Sequence, residues 1–169
     1  GGWTDALLGR EATLTVRPRT VCLAEFGAAE AARLAAMPST VVDTENGAYL
    51  LPPIRYPDGR SWLKIGGDWV DGSLGSAAEI NAWFRGGGAA EVRDRLAGQL
   101  SDLMPGLAWE SLHMAPCVTS WTASGTPEIA RLAPGLTVAA GGNGAAAKCS
   151  DELGRRAFSI AAGLAETEP

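Results

Sequence analysis

Apolar positions along this chain follow two rhythms. From Glu91 to Met104, Val92, Leu96, Leu100 and Leu103 recur at intervals of three and four, which predicts an amphipathic helix stopped by Pro105-Gly106. Ser76 to Arg85 predicts a shorter helix with Ile80, Trp83 and Phe84 on one face, broken by Gly86 to Gly88. Ala28 to Met37 is Ala-rich with its charges to one side and predicts another, and Trp3 to Leu8 a single helical turn. Elsewhere the pattern is that of strands. Ala12 to Phe26 reads as one long strand or a strand pair around Pro18. Thr40 to Pro53 reads as a hairpin around Glu45-Asn46-Gly47, and Tyr56-Pro57-Asp58-Gly59 as a tight turn before a strand from Trp62 to Gly67. Leu107 to Trp121 is a long strand. A short apolar strand from Leu136 to Ala140 then leads through Gly141-Gly142-Asn143-Gly144 into a final helix from Ala145 to Leu164.

Strands grouped together, helices segregated, and one strand–turn–helix unit at the end predict an α+β fold. Its centre is an antiparallel, or mixed, sheet covered by helices. Composition agrees: 46% of the 169 residues are hydrophobic and 20% are charged, enough for a sizeable core. The net charge of -5 and the lack of any long basic run argue against a nucleic-acid partner. No apolar stretch reaches a membrane-spanning length. Three cysteines without paired Cys or Cys/His spacing predict neither a disulfide framework nor a metal site, and a reducing, cytoplasmic setting is the expectation. His113 is the one histidine. A Ser–His–Asp triad would have to run through it, and no GxSxG elbow accompanies it.

The terminal strand–glycine–helix unit has chemistry of its own. The first turn of a helix leaves backbone N–H groups unpaired, and glycines let a ligand come close, so such a turn favours an anion or a polar ring edge. Lys148 adds a formal charge nearby. The same spacing also serves as a plain strand–helix link.

Five segments, in order, resemble the FAD-dependent amino-acid and amine oxidases: D-amino-acid oxidase, glycine oxidase and sarcosine oxidase. Gly1-Gly2-Trp3-Thr4 is similar to the end of their first nucleotide-binding stretch. Leu63-Lys64-Ile65-Gly66-Gly67 is similar to a strand whose lysine lies over the flavin. Met104-Pro105-Gly106 followed by Ala115-Pro116-Cys117-Val118-Thr119 matches a helix end and a strand carrying a cysteine. Thr126-Pro127-Glu128-Ile129 occupies a turn in which Glu128 and Ala130 depart from the pattern. Ala139-Ala140-Gly141-Gly142-Asn143-Gly144-Ala145-Ala146-Ala147-Lys148 keeps the frame of the flavin-facing turn.

The resemblance implies FAD as cofactor and a small amine, amino acid or N-methyl amino acid as substrate, oxidised to an imine by hydride transfer. It implies Gly141, Gly142, Asn143 and Gly144 against the flavin and Lys148 as clamp for a substrate carboxylate. Lys64 would promote the oxygen step, since a fixed cation in a dry site stabilises developing superoxide. Cys117 stands where some relatives bond the flavin covalently, and a small apolar thiol is the other reading of that position. Ala145 and Ala147 replace the usual His and aromatic residues of the turn, implying a wider pocket or a different substrate. A 2-hydroxy acid fits the same fold, and a non-catalytic binding module is the competing class.

No GxGxxG unit for the FAD pyrophosphate is present. The expectation is therefore a C-terminal portion that works with an N-terminal FAD-binding half and is inactive alone. Residues 1–11 would be the tail of the nucleotide-binding part, 12–122 the substrate-binding domain, and 123–169 the flavin-facing segment. A core face left uncovered would promote self-association as a homodimer.

Overall fold

The computed structural model describes residues 1–69 and 72–164. The chain runs α1 (Thr4–Leu8), β1 (Leu14–Phe26), α2 (Ala28–Arg33), β2 (Thr40–Val41), β3 (Tyr49–Arg55), β4 (Ser61–Gly66), α3 (Ala77–Gly86), α4 (Ala90–Leu103), β5 (Ser111–Thr122), β6 (Glu128–Ala133), β7 (Leu136–Ala140), a 3-10 turn (Ala146–Cys149) and α5 (Ser150–Ala162). A five-stranded sheet has the order β2-β3-β4-β1-β5, and β6 and β7 form a sheet of two. β1 pairs antiparallel with β4, as β3 does with β2 and β4, and β6 with β7. The α+β class expected from the sequence is the fold observed.

The chain forms two compact units, each discontinuous in sequence. One gathers Gly1–Arg17, Gly72–Asn81 and Val118–Pro169; the other gathers Pro18–Asp71 and Ala82–Cys117.

The second unit holds the larger core. Alternate residues of β1 (Cys22, Ala24, Phe26) and β4 (Leu63, Ile65) pack with Leu50 of β3 against Val92, Leu96 and Leu100 of α4. The expected period of α4 is thus the face it buries. Nothing caps that helix from its own Ala89; instead the buried Thr20 hydroxyl on β1 accepts the Ala89 N–H at 2.9 Å. That bond satisfies one of the donors a helix start leaves open. Gly88, with φ +103, lies against Thr20, so a side chain there would push the two apart. The expected hairpin is present as β2 and β3. Ala12–Phe26 resolves to one long strand, because β1 runs unbroken through Pro18.

The first unit has a smaller core of Leu14, Val138 and Ala140, and polar ties carry more of its cohesion. The buried Asp5 accepts hydrogen bonds from Arg10 Nε at 2.7 Å, from the Thr13 N–H at 2.8 Å and hydroxyl at 3.0 Å, and from the Leu14 N–H at 2.9 Å. Arg10 then grips Glu128 of β6 through both terminal nitrogens, at 2.9 and 2.6 Å. This planar fork on a carboxylate is the strong form of the contact.

Four boundaries differ from expectation. The strand expected from Leu107 starts only at Ser111 as β5. Residues 126–129, expected as a turn, enter β6 at Glu128. Its ion pair to Arg10 and its pairing with Ala140 hold this polar stretch extended. The terminal unit is consequently a β6–β7 hairpin followed by a helix. The Ala28–Met37 helix ends at Arg33, with Leu34 leaving helical geometry at φ -95, ψ 5. The final helix starts only at Ser150.

Leu96 is fully buried and Leu7 is 85% exposed. Leu96→Ala is expected to lower unfolding stability by about 2–5 kcal/mol, and Leu7→Ala by no more than about 0.5 kcal/mol. Urea denaturation checks both, and equal losses would contradict the core described.

Acid stability follows from Asp5 and Glu128. Burial pushes the Asp5 carboxyl up, but the bonds from Arg10, Leu14 and Thr13 together outweigh it and leave its pKa below 3.8. The Arg10 fork holds Glu128 below 4.5. Both folded pKa values are depressed, so their contribution is complete above the unfolded values and is lost as pH falls through the folded ones. Stability should hold from pH 7 to about 5 and decline below about 4. Asp5→Asn should flatten that decline in pH-dependent urea melts; an unchanged acid slope would contradict the account.

Candidate active site

Lys64 and Lys148, both singled out by sequence, are the two lysines of a chain whose Lys+Arg total is 14. Each belongs to a different unit.

In the second unit, the alternation of β4 decides where Lys64 points. Leu63 and Ile65 are fully buried toward α4. Successive side chains alternate between sheet faces, so Lys64 stands on the other face. Its register partners are Leu23 on β1 and Leu51 on β3, both half-buried. Aliphatic neighbours suit the lysine stem, and the ammonium continues past them. It sits 5.5 Å from the centroid of the Tyr49 ring. Tyr49 in turn pairs with Gly66, and a Cβ at Gly66 would lie 2.5 Å from the Tyr49 ring carbon bearing the hydroxyl. The glycine is the space the ring occupies. Burial first, and the nearby Asp68 carboxylate among the smaller causes, raise the Tyr49 phenol above 10, so it stays neutral at physiological pH.

Cys117 belongs to the same unit. It is exposed on β5, and its carbonyl accepts the Trp83 indole N–H at 3.0 Å. The fully buried thiol is Cys22, whose pKa burial pushes up to about 11. Lys64 and Tyr49 lie in this same unit.

In the first unit, Gly141 to Gly144 form the turn that follows β7. Asn143 has φ 50, and Gly141 and Gly144 have φ +71 and +72. This run of left-handed residues is why the chain does not enter a helix at once. Asn143 stitches the turn to β5: its N–H donates to the Ser120 carbonyl at 2.9 Å, and its side-chain oxygen accepts the Thr122 N–H at 2.9 Å. Its side-chain nitrogen donates to the Gly141 carbonyl at 2.7 Å. The Ala145 and Ala146 N–H groups both turn back to the Gly142 carbonyl.

The N–H groups of residues 143, 145 and 146 already have partners within the chain, and the α5 N-terminus lies further on. Lys148 is exposed within the 3-10 turn. Beside the turn is a cavity of about 460 Å³ lined by Ala139, Gly141, Gly142, Ala146, Leu153 and Ala157 among others. Its walls are small and apolar. A Cβ at Gly142 would come within 2.8 Å of the Ala146 Cβ, so the glycine keeps that wall open. Room of this kind fits a planar ring system. Gly144 also abuts Trp121, whose indole donates to Thr119 at 2.8 Å and carries the Arg17 guanidinium 4.8 Å above it.

Tyr49, Gly66 and the stitching by Asn143 were not identified as site features from sequence. An aromatic opposite a glycine in a hairpin was the available signal for the first two, and it needs the strand register to be seen.

A family profile described as FAD dependent oxidoreductase matches residues 1–159. None of the curated proteins compared with the chain matches it. Solved structures do. The Ser67Cys/Pro121Cys mutant of amadoriase I from Aspergillus fumigatus superposes with a TM-score of 0.69 at 18% identity, covering 98% of this chain and 39% of its own. The modified fructosyl peptide oxidase from Aspergillus nidulans gives 0.66 at 15%, covering 98% and 41%. Iminodiacetate oxidase from Chelativorans sp. BNC1 gives 0.60 at 15%, covering 100% and 42%. The chain thus spans well under half the length of each of these structures.

Asn143→Gly keeps the left-handed backbone and removes the side-chain bonds, an expected loss of about 1–3 kcal/mol. Asn143→Ala adds the left-handed penalty, about 1–2 kcal/mol more. Thermal unfolding of the two variants checks this order, and an alanine variant as stable as the glycine one would contradict it.

Proposed function

The chain belongs to the FAD-dependent oxidoreductase family, and from that premise we propose that it supplies the substrate-facing surface and one flavin-facing turn of an enzyme that oxidises small amines or amino acids. FAD is the cofactor of the family. The chemistry it supplies when bound is acceptance of a hydride from the carbon beside the amine, with onward passage of the electrons to oxygen. Water then hydrolyses the resulting imine.

One observation carries the reading: Lys64 is held on the sheet face away from the α4 core, its ammonium over the Tyr49 ring. A fixed cation in a water-poor site stabilises negative charge that develops during reaction, at no reorganisation cost. Lys64 is assigned to the oxygen step. Gly141, Gly142, Asn143 and Gly144 are assigned to the flavin side, in keeping with the open apolar wall beside them. Lys148, exposed in the 3-10 turn, is assigned to the substrate carboxylate. Cys117 is assigned to the flavin surroundings, and its exposure leaves its thiol open to a covalent bond there. The nucleotide end of FAD requires a dinucleotide-binding unit that these residues do not include, which agrees with the fraction of each structural neighbour that the chain spans. Amine chemistry is favoured by the neighbours themselves, described as a fructosyl amine:oxygen oxidoreductase and an iminodiacetate oxidase.

Lys64→Met is expected to slow reoxidation of the reduced flavin by oxygen about 100–1000-fold, and to change anaerobic reduction by substrate little. Stopped-flow absorbance reads the two half-reactions separately, and a loss confined to reduction would overturn the assignment. Lys148→Met is expected to raise the Michaelis constant for carboxylate-bearing substrates about 10–100-fold, the value of one charged hydrogen bond. Amines without a carboxylate should be unaffected, so equal effects on both would remove the clamp role. Turnover of 2-hydroxy acids but not amines would redirect the substrate class.

A further inference from the structure

Lysine has a flexible stem and one compact charge, so a lysine on an open sheet face samples many rotamers unless something holds it. Three features around Lys64 hold it. Its ammonium is 5.5 Å from the centroid of the Tyr49 ring, within the reach of a cation–π contact. The ring lies in the space left by the missing side chain of Gly66 on the adjacent strand. The strands that carry the two residues are locked in register by the Tyr49↔Gly66 and Leu51↔Lys64 pairs.

From this geometry we infer that Tyr49 is the positioning residue for Lys64: its ring face holds the ammonium at one place above the sheet. The inference rests on the proposed role of Lys64 in the oxygen step and goes beyond it by naming what fixes that charge. The neutrality of the phenol matters here. Burial, with the Asp68 carboxylate nearby, keeps the proton on Tyr49, so Lys64 is drawn to the quadrupole of the ring rather than to a phenolate. The hydroxyl is then dispensable and the aromatic face is not. Gly66 is the second half of the device, since any side chain there displaces the ring that orients the lysine.

The test has a structural arm and a kinetic arm. Lys64 and Lys148 are the chain's two lysines, so reductive methylation with carbon-13 formaldehyde gives two lysine signals. The dimethylated lysine keeps its charge. Lys64 should resonate upfield of Lys148 through the ring current of Tyr49. Tyr49→Phe should preserve that shift, and Tyr49→Leu should abolish it. An unshifted Lys64 signal in the unmodified sequence, or a shift that survives Tyr49→Leu, overturns the inference.

In the flavin-loaded enzyme, Tyr49→Phe should leave flavin reoxidation within about twofold, and Tyr49→Leu should slow it about 3–30-fold, the range of a partly desolvated cation–π contact. Phenylalanines of increasing fluorination at position 49 should slow reoxidation stepwise, because fluorine weakens the ring quadrupole without changing the packing much. Equal rates across that series, or equal losses for Phe and Leu, would reduce Tyr49 to a packing residue. If Lys64→Met leaves reoxidation untouched, it is the oxygen role that fails, and the two-signal experiment still decides whether Tyr49 holds Lys64.

Discussion

The alternation of β4 under α4 is the constraint on which the candidate site depends. Leu63 and Ile65 must reach the core with Leu96 and Leu100, since exposing any of them would forfeit much of the apolar burial of this unit. A strand has period two, so satisfying those two residues turns Lys64 to the opposite face. A register slip of one residue would bury the lysine and expose the core. The placement of the charge is therefore enforced by packing at positions that touch no ligand. Tyr49 and Gly66 extend the same logic across the strand pair. A large ring and an absent side chain share one place, and the ring lies where the lysine can use it.

The glycine turn is built by a different means. Its unit has a small apolar core, and backbone chemistry substitutes for bulk. Left-handed residues at 141, 143 and 144 bend the chain, and Asn143 fixes the bend to β5. Small residues along the neighbouring wall keep a cavity open. Asp5, Arg10 and Glu128 secure the hairpin that leads into the turn. The turn thus borders an open, apolar surface. The α5 helix begins only at Ser150, and the N–H groups of Asn143, Ala145 and Ala146 are engaged within the chain.

The sequence made some of this legible. The four leucine and valine positions of α4, the Asn46-Gly47 hairpin and the long strand through Pro18 each carry a strong local pattern, and each formed. The α+β class followed from their order. β6 was not legible: Glu128-Ile129-Ala130-Arg131 has no strand rhythm, and what holds it extended is an arginine more than a hundred residues earlier. The helix start was misplaced because Ala145 to Lys148 are good helix formers, while the left-handed pair before them decides otherwise. The division into two units depends on contacts between distant segments, which no local pattern reports. The site residues came mainly from resemblance to the oxidases. Bare residue types left the turn open to a plain strand–helix link. Tyr49 could be connected to Lys64 only once the strand register was known.

A structure of the protein with FAD bound decides the placement of this charge through one distance: Lys64 Nζ to the reactive edge of the flavin. The expected result is an approach by direct hydrogen bond or through one bridging water, with the Tyr49 ring still beneath the ammonium. A flavin seated elsewhere, with Lys64 pointing into solvent, would contradict it.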